Sequence, residues 1–102
     1  RHTVDLTSSI VGTPYYMSPE QIRADEHVDH RADIYSFGAL LYRLLTGDNA
    51  FNAKTPVGVL TKHLTEEVEA PSKRFPGLDL PPELDQIILR CMQKRPDDRY
   101  AS

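Results

Sequence analysis

The chain has no tryptophan, a single cysteine, no excess of positive charge and no apolar run near the roughly 20 residues that span a bilayer. Each scarcity excludes something. Cys91 alone cannot close an internal disulfide, so a disulfide framework is ruled out and a cytoplasmic setting is expected. No charged-then-apolar segment opens the chain as a signal peptide would, and no membrane segment is expected. Twelve basic residues stand against fifteen acidic ones, a net charge of −3, and the basic residues are scattered. That distribution argues against a nucleic-acid surface. The five glycines, Gly12, Gly38, Gly47, Gly58 and Gly77, are too dispersed for a glycine-rich phosphate loop. The four histidines form no metal-ligand spacing with one another or with Cys91, so no metal is expected.

The 102 residues suffice for one domain and are too few for two, and 39% apolar with 26% charged is ordinary globular composition. The chain begins with Arg1, which suggests a piece of something longer. Residues 1–11 are polar and without helical period and read as a loop. Pro14 keeps Thr13 out of the helical region, so Gly12 to Met17 is expected to be extended. Ser18 then caps a short helix from Pro19 to Ala24, with Glu20 at the positive end of its dipole. The main helix runs through "DHRADIYSFGALLYRLLTG", capped by Asp29 and ended by Gly47. Ile34, Phe37, Gly38, Leu41, Leu44 and Leu45 hold one face. Tyr35, Leu40 and Tyr42 make the rest nearly as apolar, which predicts a buried helix. Gly38 in its middle suggests close packing of another backbone. Val57, Leu60, Leu64 and Val68 predict an amphipathic helix, and "EAPSKRFPGLDLPP" a proline-rich loop. Leu84, Ile87, Ile88, Cys91 and Met92 predict a last helix from Pro82 that ends before Pro96. No segment has a strand's alternation and no repeat is present, so the fold class is mainly α.

Gly12-Thr13-Pro14 followed three residues later by Ser18-Pro19-Glu20 is a pattern expected by chance on the order of once in 10⁷ to 10⁸ windows at average residue usage. It resembles the end of the activation segment of a eukaryotic-type (Hanks-type) serine/threonine protein kinase in its bacterial form, with Ser18-Pro19-Glu20 as the family's A-P-E triplet. "DIYSFG", Asp33 to Gly38, resembles the central helix of that family's large lobe. "CMQKRPDDR", Cys91 to Arg99, resembles the run that closes the lobe. The resemblance covers nearly the whole chain and divides it into an activation segment, residues 1–20, and a helical remainder, residues 21–102.

The resemblance implies roles for particular residues. Glu20 and Arg99 would form a buried structural ion pair that clamps the activation segment to the lobe. Asp33 would anchor the catalytic loop by accepting its backbone N–H groups. Thr13 would support that loop, and Thr13, Tyr15 and Tyr16, with Met17, would line the substrate-binding pocket. Thr7, Ser8 and Ser9 are candidate phosphosites, where phosphate would add about −1.5 to −2 charge. For the intact parent the resemblance implies ATP and Mg²⁺ as cofactors and protein substrates as partners, and allows a dimer.

Two near-matches fail. In "HRAD", His30 to Asp33, an alanine interrupts the catalytic H-R-D, and Gly38 stands where the metal-binding asparagine belongs. "SFG", Ser36 to Gly38, lacks the carboxylate of D-F-G. No catalytic residue is therefore expected in this chain, and the small lobe, the catalytic loop and D-F-G would all lie upstream. The chain alone is expected to neither bind ATP nor transfer phosphate. Two other readings stay open, a pseudokinase scaffold and a free-standing helical interaction module. Departures from the family pattern are Ser18 for alanine, Ala50 for the proline before Phe51, and Arg95 for the aspartate before Pro96.

Overall fold

Seven of the eight prolines open a helical element. Proline has no N–H to lose at a first helical position and its fixed φ suits that place, so the chain is punctuated into short helices. The structure is a computed structural model and describes residues 14–102. A 3₁₀ turn, Pro14–Tyr16, precedes α1 (Pro19–Arg23), α2 (Arg31–Thr46) and α3 (Pro56–Thr65). Then come α4 (Pro71–Arg74), a second 3₁₀ turn (Pro76–Leu78), α5 (Pro82–Cys91) and a third 3₁₀ turn (Pro96–Asp98). No strand occurs among the described residues, and the fold is the expected helical one. No helix among them is long and apolar enough to cross a membrane.

Local rules set the helix ends. Ser18 Oγ accepts from the Gln21 N–H at 3.2 Å, and the Gln21 side-chain oxygen accepts from the Ser18 N–H at 3.0 Å, a reciprocal capping box at the start of α1. Gly47 ends α2 at φ 79°, the left-handed conformation that glycine adopts without a Cβ penalty. Three expectations need correction here. Pro14–Tyr16 is a 3₁₀ turn and not extended, because Pro14 presets the turn's first φ. Asp29 does not cap α2. The cap position is His30, and the Asp29 carboxylate accepts the Arg31 N–H at 3.0 Å instead. The proline-rich stretch is not a plain loop, since it holds α4 and the second 3₁₀ turn.

The core forms where α2 crosses α5. Tyr35, Ala39 and Tyr42 of α2 pack with Ala50, Phe51, Ile88, Cys91 and Met92. The expected face of α2 is kept in part, since Gly38 is buried and Ile34, Leu41 and Leu45 pack half-buried against this core. The buried stripe is Ala32, Tyr35, Ala39 and Tyr42, while Phe37, Leu40 and Leu44 are 55%, 42% and 72% exposed. An apolar circumference gives the helix no preferred side, and the small alanines allow α5 close enough for the tyrosines to be covered. Gly38 is the closest approach. A Cβ placed there would lie 2.6 Å from Cys91 Cβ and 2.9 Å from Met92 Cγ. On α3 the buried residues are Val59 and His63, Val57 is exposed, and Val68 lies beyond the helix end. The stripe of α5 keeps its expected place through Ile88 and Cys91, with Met92 next to them, but Ile87, expected on it, is exposed.

Candidate functional site

Glu20 enters the interior because Pro19 and the capping box start α1 beside the core, and the first turn points its carboxylate at Arg99. Arg99 Nη1 donates to Glu20 Oε2 at 2.6 Å and Nη2 to Oε1 at 2.8 Å, a two-pronged pair between side chains 3% and 0% exposed. The remaining guanidinium donors are also used. Nε donates to the Gln93 carbonyl at 2.8 Å, Nη1 to the Arg31 carbonyl at 2.9 Å and Nη2 to the Lys94 carbonyl at 3.2 Å. All five N–H groups are thus paired, and the plane lies over the Tyr35 ring at 5.0 Å. Burial works to raise the Glu20 carboxyl and is the largest single influence, but the Arg99 hydrogen bonds, the backbone N–H, the Arg99 charge and Ser18 together outweigh it, and the group stays below its ordinary range. One residue therefore joins α1, the first turn of α2 and the loop after α5.

Beside this clamp lies the Pro14–Tyr16 turn. Pro14 is buried, and Tyr15 and Tyr16 are half-buried. The α2 residue Ser36 donates its hydroxyl to the Tyr16 carbonyl at 2.5 Å, which holds the turn against the main helix. On its other side α3 presents His63, wholly buried, with Nδ1 2.6 Å from the Tyr35 hydroxyl. Burial first, and the Lys94 ammonium second, push the imidazole down to about 4, so it is neutral at pH 7. Lys94 is itself pushed down to about 8, chiefly by burial, with its Nζ 4.8 Å from the Phe51 ring centre and without a hydrogen-bond partner among the described residues.

Asp33, in the first turn of α2, is exposed and makes no side-chain hydrogen bond among the described residues. Its carboxylate borders an open recess of about 350 Å³ formed with Ile34, Phe37, Ile87, Cys91 and Tyr100. Nearby, Arg31 pairs with Asp29 at 3.0 Å and with Asp97 at 2.7 Å, tying the start of α2 to the third 3₁₀ turn. Thr7, Ser8, Ser9 and Thr13 lie outside the described residues. Among the described residues no three His, Cys, Asp or Glu side chains are grouped so as to hold a metal ion.

The structure thus brings Glu20 to Arg99 and sets Tyr15 and Tyr16 beside them, while Asp33 stands apart at the recess. Sequence reasoning assigned no part to Ser36, His63 or Lys94. Their neighbours are distant in the chain, and a lone polar residue on a helix or in a loop gives no local sign that it will be buried.

The family model of the protein kinase domain matches residues 1–102. Serine/threonine-protein kinase pkn3 of Myxococcus xanthus is 47% identical over 91% of this chain and 17% of its own length. Serine/threonine-protein kinase PknB of Mycolicibacterium smegmatis is 43% identical over 99% of the chain and 16% of its own, and PknB of Mycobacterium tuberculosis 41% identical over the same shares. The chain spans about a sixth of the length of these curated relatives. A match over every residue, joined to relatives this similar, places the chain in the protein kinase domain family.

Proposed function

We propose that this chain is the activation-segment end and helical large-lobe remainder of a serine/threonine protein kinase, whose intact form moves the γ-phosphate of ATP to protein hydroxyls. The buried Glu20–Arg99 pair carries the reading. Holding a turn rigid beside a helical lobe is what a peptide-presenting platform requires, because misplacing a reacting hydroxyl by about 1 Å can slow phosphoryl transfer by about 10²-fold. In this reading residues 1–20 are the activation segment and residues 21–102 the lobe. Tyr15 and Tyr16 line the peptide pocket with Thr13, and Thr7, Ser8 and Ser9 offer phosphate-accepting hydroxyls. Asp33, exposed and unpaired among the described residues, receives the backbone N–H groups of the catalytic loop.

ATP and Mg²⁺ belong to the family's chemistry, and the described residues do not fit either. They hold no carboxylate cluster for a metal and no glycine-rich loop, so both would be bound by other parts of the parent. Protein substrates fit the acidic, scattered charge better than nucleic acid does. The lone cysteine suits the cytoplasm. A parent dimer is open to sedimentation.

The test is transfer of labelled phosphate from Mg·ATP to serine and threonine peptides by the full-length parent, with this 102-residue chain alone as control. Transfer by the parent and none by the chain is expected. A parent that carries no transfer and lacks H-R-D and D-F-G upstream would be a scaffold, and turnover by the isolated chain would overturn the reading altogether.

A further inference from the structure

His63 is a wholly buried polar side chain with one nitrogen unused among the described residues. Its ring stands edge-on to Tyr35, with ring centres 5.5 Å apart, and to Phe51 at 5.0 Å, so it cannot turn toward solvent. Nδ1 meets the Tyr35 hydroxyl at 2.6 Å, while Nε2 has no hydrogen bond among the described residues. A neutral imidazole has one donor and one acceptor, and the Tyr35 hydroxyl decides which is which. Burial keeps that hydroxyl protonated, and Nδ1 is its only hydrogen-bond partner among the described residues. If Nδ1 carried the ring proton, the Tyr35 O–H would have no acceptor and Nε2 would be a bare acceptor. If Tyr35 donates to Nδ1, the proton sits on Nε2, and a single donor is left to place.

The backbone of Pro14 and Tyr15 lies close enough to favour a protonated ring, though neither carbonyl meets hydrogen-bond geometry. The α3 helix packs directly on the Pro14–Tyr16 turn, so a small approach of the turn would complete the bond. The turn's other side is already held by Ser36 through the Tyr16 carbonyl.

We propose that His63 is a positioning residue for the Pro14–Tyr16 platform. Its Nε2–H donates to a carbonyl of Pro14 or Tyr15, and Tyr35 fixes the required tautomer. The turn is then set between Ser36 of α2 and His63 of α3, so α3 helps decide where the peptide backbone rests. This rests on the reading of that turn as a peptide platform.

The full-length protein and its variants H63F, H63Q and Y35F test it by two readouts. One is steady-state kinetics on a serine/threonine peptide. The other is amide hydrogen exchange at Tyr15, Tyr16 and Met17, which needs no activity. H63F keeps the ring and removes the donor, so exchange should rise and the peptide KM should increase about tenfold, the scale of one buried hydrogen bond, with the ATP KM unchanged. H63Q places an N–H near the Nε2 position and should recover most of both. Unchanged exchange in H63F, or H63Q no better than H63F, overturns the proposal. If H63F does not fold, Y35F decides, since freeing the tautomer should also raise exchange at these amides and a wild-type rate there overturns the proposal. A parent without transferase activity would defeat the kinase reading, while the exchange rates would still decide the role of His63.

Discussion

Arg99 commits every donor of its guanidinium, two to Glu20 and three to backbone carbonyls from two different segments. Such a group is hard to replace. Glu20→Ala leaves a buried cation without its counter-charge, and Arg99→Ala leaves a buried carboxylate together with the Gln93 and Lys94 carbonyls that had accepted from it. Each change should cost about 3–5 kcal/mol in denaturant unfolding of the intact kinase domain, and the double variant should cost far less than the sum. Additive losses would show that the pair is not coupled. Lys94 is the opposite case. Its ammonium sits at the edge of the core without a hydrogen bond among the described residues, and burial first, opposed by Glu67 and Glu66 and aided by Arg99, holds its pKa near 8 against an ordinary 10.5. The folded state therefore resists the proton that the unfolded chain accepts as pH falls from 10.5 toward 8. At pH 7 the whole penalty is present, so Lys94→Met should raise stability by about 1 kcal/mol there and progressively less as pH rises from 8 to 10.5. His63 works by the same sign at lower pH. Held near 4 against an ordinary 6.5, it contributes stability that is complete above pH 6.5 and is lost between 6.5 and 4, on the order of 3 kcal/mol. Glu20, lowered from 4.5, adds a further loss below that pH. An unfolding series from pH 8 to 3 should show both windows, and His63→Gln should flatten the upper one. None of these burials was legible locally. Glu20 and Arg99 are 79 residues apart, and only the likeness to a family suggested that they meet.

At the scale of the helices, ends were easier to read than faces. Ser18, Pro19 and Gly47 act through their own backbone neighbours, so the start of α1 and the end of α2 follow from adjacent residues. The face of α2 does not. With apolar residues all round, periodicity cannot choose between the stripe at Phe37, Leu40 and Leu44 and the stripe at Tyr35, Ala39 and Tyr42. The choice belongs to α5, whose Cys91 and Met92 need the gap left by Gly38. That glycine gives a direct test. Gly38→Ala gains about 1 kcal/mol of helix propensity, yet its methyl would meet Cys91 Cβ at 2.6 Å, a backbone-anchored atom that cannot swing aside. Overpacking of this kind costs about 1–3 kcal/mol, so a net loss is expected in thermal or denaturant unfolding of the intact domain. Cys91→Ala keeps the offending Cβ and should not relieve it, whereas Cys91→Gly should show favourable coupling to Gly38→Ala. A stabilised Gly38→Ala would mean that α2 and α5 are not in this contact.

For the whole molecule the exposed apolar stripe of α2 is the telling surface. Phe37, Leu40 and Leu44 lie at helical spacing on one side, with Leu44 72% exposed, and a stripe of this kind normally faces protein. Relatives about six times as long supply enough further chain to cover it, and in the proposed kinase the parts that precede the activation segment would pack there. Placing a carboxylate on the stripe separates two pictures of the chain. If the 102 residues were a self-sufficient helical module, Leu44→Glu would alter only a solvated position and change stability by no more than about 0.5 kcal/mol in any context. If α2 is the inner helix of a larger lobe, Leu44→Glu in the full-length parent would bury an unpaired charge and destabilise it by several kcal/mol. The same change in the isolated chain would leave stability nearly untouched and reduce self-association, because it breaks the apolar patch. Denaturant unfolding of the parent and sedimentation of the chain, each with and without the substitution, measure both halves. Opposite effects in the two contexts are expected, and a neutral substitution in the full-length parent would return the chain to the standing of an independent module.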